Sequence, residues 1–338
     1  MYNFPNNPSV GQTTPDGNWI WDGEKWNPTS TLPQQLAPRE NILINGGFDV
    51  WQRGTTQSGN GYGSADRWNQ RLVGAVTYTA SRVTTSLGAA VSGYYVMNLN
   101  VDGSGGGAAD YHRMEQRIED VRSIANNEVI TVSFRAYAVG GADLDIAVGI
   151  NQVFGTGGSP TVTTYGGTVT VDSASWATYT VTITVPSKSG LTDNPDDSHV
   201  DLLLWTSAGA NFNSVTGSLG HQTGQIRITD IKLEKGSTAT DWVYEDIGTT
   251  LAKCQRYFVK ESPSLVGYAQ SDSGSSISRR ISYFLPVTMR TTPTVTVTLS
   301  TGTLGTVVPY PRSIDIPGTA SNSGTTIVTS GITADAEL

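Results

Sequence analysis

Cysteine and histidine are scarce: the 338 residues include one cysteine, Cys254, and three histidines. One cysteine excludes an intrachain disulfide, and so small a Cys/His set argues against a structural zinc site. Cys254 lies in a short helical pattern, where buried packing is the expectation. Charge is sparse as well, 15% of residues, with a formal net charge of -8. Lys and Arg form no stripe, so the electrostatic footprint of a nucleic-acid binder is missing. No apolar run is long enough to span a membrane as a helix, and the polar N-terminus does not resemble a secretory signal. Long Glu/Lys/Leu-rich stretches are nearly absent, which argues against helical domains.

What is abundant is glycine, 38 residues, together with Thr-rich alternating segments. β-Branched side chains suit a pleated, half-buried surface. From residue 41 onward such segments recur, including "AVTYTASRV" and "YYVMNLNV". In "VITVSFRAYA" the alternation places Ile130, Val132, Phe134 and Ala136 on one face, and "LDIAVGI" does the same with Leu144, Ile146, Val148 and Ile150. "YTVTITV" puts Tyr179, Val181, Ile183 and Val185 inside and threonines outside. "VDLLLW" and "GQIRITDIKLEKG" close the set, with long loops expected over 151–170 and 207–223. Many short strands with uneven loops predict an all-β, jelly-roll β-sandwich over 41–245.

Residues 1–40 read as a separate small element with six prolines. Asp16-Gly17 and Asp22-Gly23 are turn signals, and Trp19, Trp21 and Trp26 lie between and after them. One or two tiny hairpins cannot bury enough surface alone, so the tryptophans suggest docking onto something larger; "TSTLPQQLAP" reads as a linker. Past the sandwich, Asp246 is placed to cap a short helix with Ile247, Leu251, Cys254 and Phe258 on one side. "ISYFLPV", "TVTVTLS" and "TTIVTS" then predict a small C-terminal β domain within 246–338, with Pro286 and Pro293 at edges or bulges. Its few apolar residues suggest that partner chains supply the missing burial in a homo-oligomer. Residues 249–338 hold 7 basic and 5 acidic groups against 14 and 24 in the remainder, so this part is the less acidic one.

Several stretches resemble those of bacteriophage tail-fibre or related virion appendage proteins: "PDGNWIWDGEKW" at 15–26, "NILINGGFDVWQRGT" at 41–55 with "SADRW" at 64–68, "ITDIKLEKGSTATDWVYEDIGTTLAKCQRYF" at 228–258, and "GITADAEL" at 331–338. The resemblance implies a virion protein with a carbohydrate-binding-module-like jelly roll. It further implies homotrimers, attachment to a host surface glycan, and docking on other virion proteins through the N-terminus. The alternative within it is a capsid- or tail-surface decoration protein that binds no receptor. It also implies a structural Ca2+ at Asp230, in the last strand, with Asp49 from the first loop, because Ca2+ takes hard oxygen ligands.

Glycan recognition sets aromatic rings against sugar faces, and Trp205, Phe212, Tyr94, Tyr95 and Tyr165 are the ligand-binding candidates in or near loops; each is as much at home in a sheet core. Trp51 and Trp68 are assigned to the core, and Asp66 and Arg67 to structural pairing. "DNPDD" at 193–197 reads as a solvated turn. "RMEQRIED" at 113–120 reads as a helix or a charge-broken strand with Glu115 and Glu119 on a solvated face. His112, His199 and His221 form no triad pattern, and "GSGGG" at 103–107 lacks the Lys-Ser/Thr of a phosphate loop. No enzymatic activity is expected.

Overall fold

The computed structural model describes residues 5, 7–14, 19–28, 39–86, 91, 93–262, 266–268, 277–320 and 326–338. Residues 1–39 and 40–338 form two compact units. In the first, β1 (Trp19–Trp21) and β2 (Trp26–Pro28) pair antiparallel with Trp21 opposite Trp26, their rings 5.6 Å apart. The Asp22 carboxylate builds the turn. It accepts the N–H groups of Glu24 and Lys25 and the Asn27 amide, and these bonds lower its pKa to about 2. Gly23, at φ 111°, supplies the left-handed backbone the turn needs. Asp16-Gly17 and the expected linker over 29–38 lie outside the described residues.

The second unit begins with two antiparallel sheets packed face to face. The strands are β3 (Thr56–Gln57), β4 (Asn69–Val73), β5 (Thr77–Thr84), β6 (Tyr95–Asp102), β7 (Tyr111–Glu119), β8 (Val129–Val139), β9 (Leu144–Val153), β10 (Val162–Val171), β11 (Ala177–Thr184), β12 (His199–Ala208) and β13 (Thr223–Lys235). One sheet runs β11-β8-β13-β6-β5-β3 and the other β10-β9-β12-β7-β4. Neighbours that are distant in sequence make this a jelly-roll sandwich rather than a meander. The period-two reading holds: Ile130, Val132, Phe134 and Ala136 are fully buried, with Ile146, Val148 and Ile150, while Thr178, Thr180, Thr182 and Thr184 face out.

Two expected loops are mostly ordered elements. Over 151–170, β9 continues to Val153 and β10 forms an edge strand, its alternation broken at Gly166 by a bulge between Tyr165 and Gly167. A Cβ on Gly166 would stand 2.5 Å from the Ile183 side chain, so the pattern-breaking residue is a packing requirement. Over 207–223 the chain makes two short helical turns at 210–216, the second being α1 (Asn213–Thr216).

The expected capped helix is α2 (Ile247–Gln255), with Asp246 accepting the N–H groups of Gly248 and Thr249. Its buried residues are Thr250 and Cys254; Ile247 is half exposed, and Phe258 lies beyond the helix in a strand. The helix ends by Arg256 because Tyr257 and Phe258 turn to place their rings under the guanidinium groups of Arg67 and Arg53, 3.4 and 3.6 Å from the ring centres. The remaining strands are β14 (Phe258–Glu261), β15 (Val266–Tyr268), β16 (Ile277–Phe284), β17 (Thr294–Thr301), β18 (Thr303–Leu304), β19 (Val308–Pro309), β20 (Ser313–Ala320) and β21 (Thr326–Asp335). Pro286 and Pro293 fall outside strands. This part has its own small core of Val259, Leu285, Met289, Ile314, Ile316, Ile332 and Ala334. Polar contacts fasten it to the sandwich. Arg67 and Arg53 pair with Glu337, Arg256 with Glu119, and Arg117 donates to the Leu338 carbonyl.

Candidate functional site

Chain segments far apart in sequence meet at one corner of the sandwich, and "NGGFDVW" builds it. Asn45 donates to the Val50 and Asp66 carbonyls, while its side-chain oxygen accepts the Val50 N–H. Asn41 reaches across to the Ile231 carbonyl and the Leu233 N–H. In β13 the pairing with β8 slips between Thr229 and Lys232, and Asp230 takes φ 53°. This bulge frees the Ile231 N–H to donate to the Gly46 carbonyl. A Cβ on Gly46 would lie 2.1 Å from the Ile231 carbonyl oxygen, so only glycine fits.

The same bulge brings the two predicted metal ligands together. Burial first, and then the charge of Asp230, raises the Asp49 carboxyl to about 6, against the opposing N–H of Tyr94. The space beside Gly93, where a Cβ would stand, is bordered by the Gly47 carbonyl at 3.1 Å, the Tyr95 carbonyl at 3.3 Å and Asp49 Oδ1 at 3.7 Å. The Asp49 carboxylate beside backbone carbonyls, with Asp230 near enough for its charge to be felt, is a hard-oxygen set that suits Ca2+. Among the described residues no three His, Cys, Asp or Glu side chains group closely enough to hold a metal, so any cation here needs those carbonyls.

The outer face of the five-stranded sheet carries a second assembly. Cross-strand register sets Arg71 opposite Arg113, Arg113 opposite Trp205, and Trp205 opposite Ala147; the next row is Asn69, Glu115, Leu203 and Gly149. Like charges directly opposite are ordinarily unfavourable. Glu115, 1% exposed, relieves them: Arg113 Nε lies 2.9 Å from it, Arg71 3.5 Å and Arg117 3.7 Å. Arg113 also stacks over Trp205 at 4.6 Å. Tyr111, Trp205 and Phe212 form a three-ring cluster with centroids 4.9–5.4 Å apart. Trp205 is buried beneath Phe212, Val215 and Leu219, and its indole N–H has no partner within the protein; Tyr111 and Phe212 are half exposed.

The predicted aromatics therefore do not form one platform. Trp205 lies inside β12 rather than in a loop, with no ring face open to a ligand. Phe212 joins it, along with Tyr111, which sequence reasoning missed although its alternation with Arg113 placed it on the same face. Tyr165 lies on edge strand β10, 37% exposed, its hydroxyl 2.9 Å from Thr168 Oγ1. Tyr94 and Tyr95 form an edge-to-face pair near Asp49, Tyr94 exposed and Tyr95 under Arg82. Trp19, Trp21 and Trp26 are half-buried in the N-terminal hairpin. Trp68 is fully buried and Trp51 packs on the core. Asp66 accepts from Gln52 rather than pairing with Arg67.

The acidic motifs are structural. "RMEQRIE" lies in strand β7, with Asp120 capping the turn that follows, and Glu115 is buried among arginines instead of solvated. Burial works against ionisation at Glu119, but the two-pronged Arg256 contact holds its carboxyl below the usual range. In the 193–197 turn, Asp197 accepts the Thr156 hydroxyl and N–H, and Asp193 pairs with Arg122. His112 is buried between Thr206 and Gln70, and burial lowers its pKa to about 3.

No protein-family model matches this chain, and no curated protein does. Solved structures similar to it include the CBM22-1 xylan-binding domain of Paenibacillus barcinonensis Xyn10C, at 15% identity and TM-score 0.35, covering 60% of this chain and 98% of that one. Another is a family 11 carbohydrate-binding module from Clostridium thermocellum in complex with a mixed-linked tetrasaccharide, at 11% identity and TM-score 0.33, covering 55% and 98%. A third is TmCBM61 in complex with β-1,4-galactotriose, at 13% identity and TM-score 0.31, covering 59% and 100%. Likenesses this slight carry no argument about what the present chain binds.

Proposed function

We propose that this chain is a non-catalytic saccharide-binding protein of a virion appendage that attaches the particle to host surface glycans. The observation that carries the binding reading is the half-exposed rim of Tyr111 and Phe212 beside Arg71 and Arg113 on the outer face of the five-stranded sheet. Ring faces take the apolar side of a pyranose, and guanidinium groups donate to its hydroxyls. The virion reading is supported by the motif likeness at 15–26, 41–68 and 228–258. In it, Trp19, Trp21 and Trp26 dock on another virion protein and three copies associate. Individually weak sugar sites then gain retention through multivalency. Asp49 and Asp230, with the Gly47 and Tyr95 carbonyls, would hold a structural Ca2+ that neutralises their mutual repulsion.

The burial of Trp205 favours a second reading, a surface decoration protein that binds no receptor. Light scattering of the purified chain, binding to intact bacterial cells and to an array of bacterial surface glycans, and an assay for released sugar separate the two. Selective binding by a trimer, without sugar release and abolished by Tyr111→Ala with Phe212→Ala, is the expected outcome. A correctly assembled protein that binds no glycan supports the decoration reading, and sugar release overturns the non-catalytic one.

A further inference from the structure

On the opposite, six-stranded sheet a pocket of about 440 Å3 opens over the bulge of β13. Its floor is Ser133, Phe134 and Arg135 of β8, Thr178 of β11 and Asp230; its wall is the segment 239–242, which ends in Trp242. That volume lies within the ordinary range of small-molecule sites, about 300–1,000 Å3. The wall is held by a buried polar network. Lys232, 2% exposed, donates to the Thr240 hydroxyl and to the Asp241 carbonyl, and Glu234, fully buried, accepts both the Thr240 N–H and its hydroxyl. A charged pair is buried here to fix one four-residue segment, so the position of Trp242 is strongly specified. Gly47 admits the indole edge from the other side: its Cβ position lies 3.4 Å from Trp242 Cζ2.

Two residues that line this pocket each carry a buried donor, Arg135 Nε and Trp242 Nε1, that makes no hydrogen bond within the protein. Leaving such groups unmatched is costly, which is why nearly all buried polar atoms in folded proteins are paired. A half-buried indole ring, the Arg135 guanidinium, the Ser133 and Thr178 hydroxyls and the Asp241 carboxylate line the pocket, and they supply the chemistry that meets a pyranose ring, apolar on one face and edged with hydroxyls. The exposed carboxylate of Asp241 disfavours an anionic ligand. The geometry points to a second saccharide subsite, built on Trp242 and Arg135, that takes a neutral pyranose residue. The assignment rests on the saccharide-binding reading above and places a further contact on the sheet opposite the Tyr111–Phe212 rim, so one chain engages glycan at two separate faces.

The test is 19F NMR of the full-length chain labelled with 5-fluorotryptophan. Its eight tryptophans are assigned by single Trp→Phe variants, and the protein is titrated with the methyl glycosides of glucose, galactose, mannose and N-acetylglucosamine and with glucuronate. The expected result is a saturable shift of the Trp242 resonance with at least one neutral glycoside. Arg135→Gln should weaken that binding on the order of tenfold, and Tyr111→Ala should leave it unchanged. Saturation seen only at Trp205 overturns the second subsite and leaves the binding reading intact. A response of Trp242 to glucuronate alone overturns the neutral-sugar assignment. No response to any probe at either face overturns both.

Discussion

Replacing Arg67 with methionine removes one half of the ion pair that fastens the C-terminal β part to the sandwich. The Arg67 side chain is 1% exposed and that of Glu337 6%. Taking away one partner of a buried pair ordinarily costs about 3–5 kcal/mol, because the other charge is left without compensation. The guanidinium also lies 3.4 Å from the Tyr257 ring centre, a contact contributing about 1–2 kcal/mol when desolvated. Against this, Arg53 stays 3.2 Å from Glu337 and methionine retains much of the volume. The net expectation is a loss of about 3 kcal/mol, read by urea unfolding of the full chain, or a fall in Tm of roughly 6 °C. Burial raises the Glu337 carboxyl despite Arg67 and Arg53, so the penalty in the variant should shrink as pH falls and that carboxyl takes up a proton. Arg67→Met combined with Glu337→Leu should recover at least half of the loss, since an apolar pair needs no counter-charge. A single-variant loss below about 1 kcal/mol, or a double variant whose cost is the sum of the two singles, refutes the pair as the fastening element.

Three further outcomes are expected. His112 is neutral in the fold with a pKa of about 3. Stability should therefore fall as pH drops below its unfolded value near 6.5, by up to about 4–5 kcal/mol at pH 3, and His112→Gln should flatten that limb in urea titrations at stepped pH. Asp49 has the opposite sign: its folded pKa of about 6 lies above the ordinary 3.8, so stability is lost as pH rises through that window. Screening at this half-buried site reduces the loss to about 1–2 kcal/mol. Added Ca2+ should accordingly raise Tm more at pH 7 than at pH 5, and Asp49→Asn should abolish the difference; a Ca2+ response independent of Asp49 excludes the proposed site. Gly46→Ala should cost about 2–4 kcal/mol in urea unfolding, because its Cβ collides with the Ile231 carbonyl and opens the bond between the first loop and β13.

Strands whose two faces see different surroundings were legible along the chain: 179–185 alternates cleanly because one side is core and the other water, while 129–138 alternates in residue type although Thr131 and Ser133 on its second face are buried as well. The edge strand β10 was hidden by Gly166, where contact with Ile183 on another strand selects the residue and breaks the local pattern. Glu115 looked solvated because its neighbours along the chain are charged, yet those charges are the arginines that bury it. Trp205 looked ligand-facing because 207–223 gave no periodic signal, and the short turns at 210–216 that cover it are too brief to show one. Trp242 was passed over as part of a motif, since nothing local distinguishes an indole held over a pocket from one in a core.

Period-two patterning, the Asp246 cap and the turn signals are local properties, and they determined the all-β class, the helix start and the N-terminal hairpin from residues alone. Cross-strand order joins residues tens of positions apart, while the pairing of Asp49 with Asp230, the Arg67–Glu337 fastening and the contact of Arg135 with the Trp242 pocket span more than a hundred positions or depend on a bulge with no sequence mark of its own. Only the closed sandwich decides such contacts, because burial and mutual distance, which set the charge state of Asp49 and the unpartnered donors of Arg135 and Trp242, do not exist until the sheets pack.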